Sequence, residues 1–387
     1  MALERPPRRV QPLPAAIAVI VGLVAVGMVV LWPDTTPEPP TGVQPLAAAE
    51  VLAVSALEAP PEGAPPGSQA VDVAMRITSG PSAGEVVETQ AFLEGLPPLT
   101  AGQQVRVVGN SVDGWFIADY ERSGALWLLL GIFVVVVVAA GGWQGMRSLV
   151  GLAFSLLIVV VFIVPAILAG SEPALVALVG AVAVMLVTLY LSHGVGTKTS
   201  VAVVGTTIAL AITVGLGVWF IDAAVITGYS SEEAVQAQFQ IPDLDVSGLV
   251  LAGLIIAALG VLDDVTVAQA STVYALHDTD PELSSATLFR TAMVVGRDHI
   301  ASTVNTLFLA YAGASLALLV VFSTGGRPVG DIITSEVVAA EMVKTMVGSL
   351  GLIAAVPITT VLAATMAVRR TPAEVAASRR GVHGHAH

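Results

Sequence analysis

Residues 251–271 read LAGLIIAALGVLDDVTVAQAS. An unbroken run of apolar and small residues leads into two adjacent aspartates, and threonine and glutamine follow. Such a run belongs in hydrocarbon, where only a helix or a closed barrel satisfies its own backbone. A carboxylate at that depth is costly enough to be a functional hypothesis by default. The purely apolar part covers 249–262, short of the roughly 20 residues that a hydrocarbon core about 30 Å thick requires. The span therefore has to borrow polar neighbours, Asp263 and Asp264 included, and is expected to end at them.

The remaining composition agrees with lipid as the solvent. Of 387 residues, 12% are charged and 55% hydrophobic, where an ordinary soluble domain carries roughly 25% charge. A net charge of −13 argues against nucleic acid as a partner, which needs a basic face. Without cysteine there is no disulfide, no thiolate nucleophile and no cysteine metal ligand. The sequence has no phosphate-binding loop, dinucleotide fingerprint or catalytic triad, and no cofactor is expected.

Seven further apolar stretches, at 13–32, 124–142, 149–169, 173–191, 200–221, 300–322 and 343–368, bring the expected spans to eight. The first follows ALERPPRR and is not followed by an A-x-A cleavage site, so an uncleaved anchor is expected rather than a signal peptide. Basic residues orient the chain. With the N-terminus cytoplasmic, Arg5, Arg8, Arg9, Arg147, Lys198, Arg290, Arg297, Arg369, Arg370, Arg379 and Arg380 fall inside. Arg76, Arg106, Arg122, Arg327 and Lys344 fall outside. The expectation is an all-α polytopic membrane bundle with both termini cytoplasmic and the lipid bilayer as its first partner. Its segments are a short N-terminus (1–12), an anchor (13–32), a linker (33–49), an external domain (50–123), a seven-helix membrane domain (124–368) and a tail (369–387). The tail's His383, His385 and His387 read as a disordered end. Glycines in or beside spans, among them Gly131, Gly205, Gly215, Gly217, Gly253, Gly260, Gly313, Gly348 and Gly351, are expected to admit close helix contacts. Pro165 and Pro357 are expected to kink their helices.

In the external domain, strand-like pieces occur at 50–57, 71–80, 84–93, 105–110 and 115–120, punctuated by GPSAG at 80–84 and DG at 113–114. They predict a small all-β barrel, OB-like or SH3-like. The stretches 33–44 and 59–67 read as tether and loop. Three basic residues beside Trp115 and Phe116 do not make a nucleic-acid surface. A structural module, a docking site for an extracytoplasmic protein partner, or a lid is expected instead.

Polar residues gather at the cytoplasmic ends of three expected spans: His193 and Lys198; Asp263, Asp264, Thr266 and Gln269; Arg297, Asp298 and His299, with Ser302, Thr303, Asn305 and Thr306 deeper. Asp298, Ser302 and Asn305 share one helical face at i, i+4 and i+7, and His299, Thr303 and Thr306 form the adjacent stripe. That face is expected to look into the bundle or a water path. Three readings stay open. In a transport path for a small solute or ion, Asp263 or Asp264 exchanges a proton or cation and converges with Asp298 and Asn305 on a cavity. In a structural reading these groups cap and pair helix ends. In an intramembrane metal site, hydrolytic in role, His193, Asp263, Asp264 and His299 are the ligands, although no HExxH-type spacing supports it. A scaffold without transport predicts an apolar patch on the β-domain. Oligomeric state is not legible. Elsewhere, Asp222, Glu232, Glu233, Asp243 and Asp245 read as a solvated acidic loop holding a helical stretch at 229–240, capped by Ser230 with Glu233. Residues 331–344, with Glu336 and Glu341, read as an interfacial helix or a re-entrant segment.

LYLSHGVGTKT (189–199), the 251–271 stretch, FRTAMVVGRDHIASTVNTLFLAYAGASL (289–316) and SEVVAAEMVKTMVGSLGLIAAVPITT (335–360) resemble the YibE/F family of bacterial multi-pass membrane proteins. SGPSAGE (79–85) and WFIADYERS (115–123) extend the resemblance into the external domain. It implies a bacterial plasma-membrane protein, loosely described as permease-like. The family's motif positions fall on His193, Asp263, Asp264, Arg297, Asp298, His299 and Asn305.

Overall fold

The helix that carries Asp263 and Asp264 runs Val246–Thr279, 34 residues, so it does not end at the carboxylates. Its buried stripe continues past them through Val265, Thr266, Gln269, Ala270, Val273, Tyr274 and His277, the three-to-four-residue repeat of a helix packed on one side. A polar pair does not break a helix that bonds its own backbone, and packing carries it on. At 1.5 Å per residue it is about 51 Å long, well beyond a hydrocarbon core.

The computed structural model describes residues 12–33, 46–56, 70–92, 98–110, 114–326, 328–371 and 375. Most of the linker and second loop, Arg5, Arg8, Arg9, Asp113, Arg327, Arg379, Arg380 and the histidine tail lie outside them. The chain divides into two units, 1–37 with 141–387, and 38–140.

In chain order the elements are α1 (Pro12–Val30), β1 (Ala47–Ala56), β2 (Ala70–Ile77), β3 (Val86–Phe92), β4 (Gln104–Asn110), β5 (Gly114–Tyr120) and α2 (Ser123–Ile158). A π-helical turn at Val159–Ile163 leads into α3 (Val164–Leu168), followed by α4 (Pro173–His193), α5 (Thr197–Ala223), α6 (Glu232–Gln240) and α7 (Val246–Thr279). The chain closes with α8 (Ser285–Ala314), α9 (Leu316–Thr324), α10 (Val329–Ile333) and α11 (Glu336–Ala367). Among the described residues, six helices are long and apolar enough to cross a membrane, or seven if the bent α8–α9 pair is one span.

Local signals set most boundaries. Glu172, Asp245 and Ser284 cap α4, α7 and α8 with side-chain acceptors. Ser231, and not Ser230, caps α6, accepting from the Ala234 amide at 3.2 Å. Gly142 has φ 54 and ψ −136 inside α2, a backbone that breaks the helix where the second span was expected to end. The seventh expected span is not straight: α8 and α9 meet at 59° around Ser315. Residues 331–344 are not one interfacial helix either. A break at Thr334 and Ser335 separates α10 from α11, whose first turns already belong to the long helix that carries the eighth expected span.

The helical unit is built on α5, α7 and α11, each packed on the other two, with α4 against α7 and α8 against α11. Two reciprocal contacts fix the crossing of α5 and α11. Gly205 of α5 meets Thr359 of α11, and Gly351 of α11 meets Thr213 of α5, so the helices run antiparallel with a glycine under each threonine. Gly217 admits Leu254 of α7 in the same way, at 2.6 Å from where its Cβ would lie. Gly180 and Gly296, which the sequence did not single out, admit Ile163 and Val356. Gly131, Gly215, Gly253, Gly260, Gly313 and Gly348, by contrast, face no neighbour within 4 Å among the described residues.

In the other unit the five strands form one antiparallel sheet in the order β3-β2-β1-β4-β5. Alternation buries Val51, Val73, Met75, Ile77, Val105 and Val107. The sheet is curled into a half-barrel: its β3 and β5 edges approach, and the Thr89 hydroxyl donates to the Trp115 carbonyl, but no ladder joins these strands among the described residues. Gly109 has φ 138 beside the Gly114 carbonyl, an approach no side chain tolerates. The Arg106–Glu121 and Asp119–Arg122 ion pairs, at 3.2 and 2.7 Å, tie down the strand that leads into α2.

Gly351→Leu is expected to lower stability by about 1–3 kcal/mol or more through overpacking, seen as a fall in the thermal midpoint in detergent, whereas Gly253→Ala, with open space at its Cβ, should leave it unlowered or raise it by up to about 1 kcal/mol. A pH effect is expected in the sheet. A hydrogen bond from Arg122, then one from the Tyr120 amide, holds the Asp119 carboxyl below its ordinary 3.8. The Ser123 hydroxyl and amide, with Arg106, hold Glu121 below its ordinary 4.5. Lowered folded values stabilise above the unfolded pKa and lose that contribution as pH falls through the folded one. Hydrogen exchange on the full chain should therefore show the Tyr120 and Ser123 amides protected above 4.5 and released as pH falls below 3.8. Glu121→Gln should remove the step at Ser123.

Candidate functional site

Asp263 lies midway along α7, where that helix packs on α5. The Thr206 hydroxyl of α5 lies beside its carboxylate. Thr206 and Thr266 share a hydrogen bond of 2.7 Å between their hydroxyls, and Thr266 donates to the Asp263 carbonyl at 3.1 Å. Both threonines are fully buried. Asp263 itself is half-buried, and its Oδ1 is sealed from solvent with no hydrogen-bond partner among the described residues. A buried acceptor without a partner costs about 1–3 kcal/mol, more when charged, so this oxygen is out of keeping with the apolar packing around it.

Its neighbour differs. Asp264 is exposed and lies within the electrostatic reach of His193, which also feels Lys198 and Arg147. One carboxylate thus turns into the helical core, and the other joins a mixed-charge patch at the ends of α4 and α5.

The remaining expected site residues do not converge on Asp263. Gln269 is buried, and its Nε2 donates to the Ala292 carbonyl of α8 at 3.0 Å. It is a strut between helices. The buried face of α8 is Leu288, Ala292 and Gly296, small at the point of contact with α7 and α11. That requirement turns the helix so that Arg297, Asp298, Ser302 and Asn305 are exposed and His299 half-buried. The polar stripe expected to face the bundle interior instead lies on its outer side. Close packing by small residues outweighs the polar periodicity here.

Two of the clefts bounded by described residues of the helical unit measure about 740 and 690 Å³. The first lies among α1, α4, α5 and α11, and the second beside the N-termini of α4 and α7. Neither is lined by Asp263, Asp264, Asp298 or Asn305. Among the described residues no three His, Asp or Glu side chains come close enough to hold a metal ion, so His193, Asp263, Asp264 and His299 are not gathered as ligands.

Sequence reading missed two partners. Thr206 belongs to a GTT run in the fifth span (205–207), and the threonine pair facing an aspartate was a signal it overlooked. Glu336, considered for the bundle interior, instead accepts from the Thr227 and Gly228 amides at 2.8 and 2.6 Å and from the Thr227 hydroxyl. It clasps the loop after α5 to the start of α11.

A family model described as YibE/F-like protein matches residues 129–369. The chain belongs to the YibE/F-like family. The match starts within α2 and ends just past α11, so it covers the helical unit from α2 onward, and α1 and the sheet lie outside the matched stretch. Curated proteins and solved structures give no match.

Gln269→Leu is expected to remove the α7–α8 strut and lower stability by about 0.5–1.5 kcal/mol. Asn305→Ala, on the exposed stripe, should change it by less than about 0.5 kcal/mol. Thermal unfolding of both variants in the same detergent checks the contrast.

Proposed function

We propose that this YibE/F-like protein is a permease of the bacterial plasma membrane that moves a small solute or ion, with Asp263 as its proton- or cation-coupling group. One observation carries the reading: a carboxylate midway along a membrane-crossing helix, with one oxygen sealed and without a hydrogen-bond partner among the described residues, where that helix packs on the buried Thr206–Thr266 pair. A carboxylate buried within a membrane helix bundle is costly, and among the described residues no basic side chain pairs with it. Hydroxyls beside a carboxylate form a ligand set for a proton or a hard cation.

In this reading the chain crosses the bilayer eight times. The break at Gly142 makes two passes of the 46-residue helical stretch Ser123–Leu168, and the bent α8–α9 pair makes one. The asymmetry of Lys and Arg then places both termini in the cytoplasm and the sheet outside. Its strand order, with β3 and β5 as the facing edges, supports an OB-like rather than an SH3-like barrel.

A second reading, a scaffold without transport, draws on different observations. Asp298, Ser302 and Asn305 are exposed on a helix expected to cross lipid, and such a stripe requires a protein cover. The sheet keeps a cleft of about 570 Å³ between β3 and β5, with Phe116 and Val86 exposed, where an extracytoplasmic partner would dock.

Reconstitution in proteoliposomes under an imposed pH gradient, with a panel of monovalent and divalent cations, separates the two. The permease reading expects gradient-coupled flux that Asp263→Asn abolishes and Asp264→Asn retains in large part. Equal loss in both variants would remove the distinction between core and surface carboxylate. No coupled flux from wild type would favour the scaffold.

A further inference from the structure

We infer that the cleft bounded by α1, α4, α5 and α11 binds one anionic phospholipid, its phosphate held by Arg369 and an acyl chain laid against α1. The volume, about 740 Å³, is that of a ligand pocket. One wall is an apolar trough. Leu13, Ile17 and Val21 line it from α1 at i, i+4 and i+8, one helical face, and Met366 contributes from α11. The mouth is polar, formed by the first turn of α5, including Ser200, together with Arg369 and Arg370.

The two arginines differ in what they already hold. Arg370 is committed: it donates to Asp278 at 2.5 Å and lies 5.3 Å from the centre of the Tyr274 ring. Arg369 is exposed, and among the described residues its guanidinium makes no ion pair and no hydrogen bond. At the same mouth the N-terminus of the 27-residue α5 is capped by Gly196, without a side-chain acceptor, and adds partial positive charge. An uncommitted cation above an apolar trough, at one end of membrane-crossing helices, matches both halves of an anionic lipid. A free anion would use the arginine and leave the trough empty. A zwitterionic lipid would use the trough, but its own cation would oppose Arg369. This inference is independent of whether Asp263 takes part in transport.

The full chain, purified in mild detergent, is titrated with phosphatidylglycerol or phosphatidylcholine and read by native mass spectrometry. One phosphatidylglycerol per chain should be retained in clear preference to phosphatidylcholine. Arg369→Gln should weaken its retention about five-fold, the effect of one arginine near an anionic headgroup, and Arg369→Lys should restore most of it. Ala18→Phe, which fills the trough from α1 without touching the arginine, should also weaken it. Arg290→Gln, an exposed arginine of α8, should have no effect. Equal retention of the two lipids, an equal loss on Arg290→Gln, or no effect of Ala18→Phe would overturn the proposal. So would displacement by inorganic phosphate at the same concentration as the lipid, which would reveal a site for soluble anions.

Discussion

The helical unit depends on how closely α5 and α11 approach. In lipid there is no hydrophobic force between apolar helices, and association rests on van der Waals packing and polar contacts. Two glycines, each under a threonine of the opposite helix, give this crossing contact that larger residues would prevent. The third helix, α7, then lies along both. Because α7 is held there, Asp263 is turned toward α5 and its buried Thr206 hydroxyl, while Asp264, one residue and 100° further round, stays outside. The environment of the only sealed carboxylate oxygen without a hydrogen-bond partner among the described residues thus follows from where glycines fall on other helices.

The same packing accounts for the long helices. Once α7 and α11 are in contact along their length, continuing the helix past a polar residue adds contacts and leaves no backbone group unpaired. The strut from Gln269 to Ala292 extends this arrangement to α8 and consumes a polar side chain that would otherwise be available to a solute. The Glu336 clasp and the Arg370–Asp278 pair join other helix ends. Many polar residues in or beside the core therefore hold structure. Ser349, Thr359 and His277 also keep a buried polar atom without a partner among the described residues, and Asp263 differs from these in that its atom belongs to a carboxylate.

Much of this was legible in the sequence. Apolar runs located the crossing helices, and the punctuation of 47–120 by glycine located the five strands, because both follow from local pattern. Helix length was not legible from hydropathy alone. The extension of α7 is encoded in the buried repeat from Val265 to His277, which competes with the eye-catching aspartate pair. The orientation of α8 was misread for a related reason. Its polar stripe at Asp298, Ser302 and Asn305 and its small stripe at Ala292 and Gly296 compete for the interior, and only the facing helices, with Gln269 and Val356 in place, decide the contest. Likewise, which glycines matter depends on what lies opposite: Gly205 and Gly351 meet threonines, and Gly253 meets nothing.

Two adjacent carboxylates have different surroundings, and the absence of cysteine from the chain makes that difference directly measurable. Single-cysteine variants Asp263→Cys and Asp264→Cys can be probed with a bulky water-soluble maleimide, using the intact protein in native membranes opened to both sides. The packing of α5, α7 and α11 predicts rapid labelling at 264 and protection at 263 until the protein is denatured. Equal labelling of the two positions in the folded protein would contradict it, since Asp263 would then lie on an open surface.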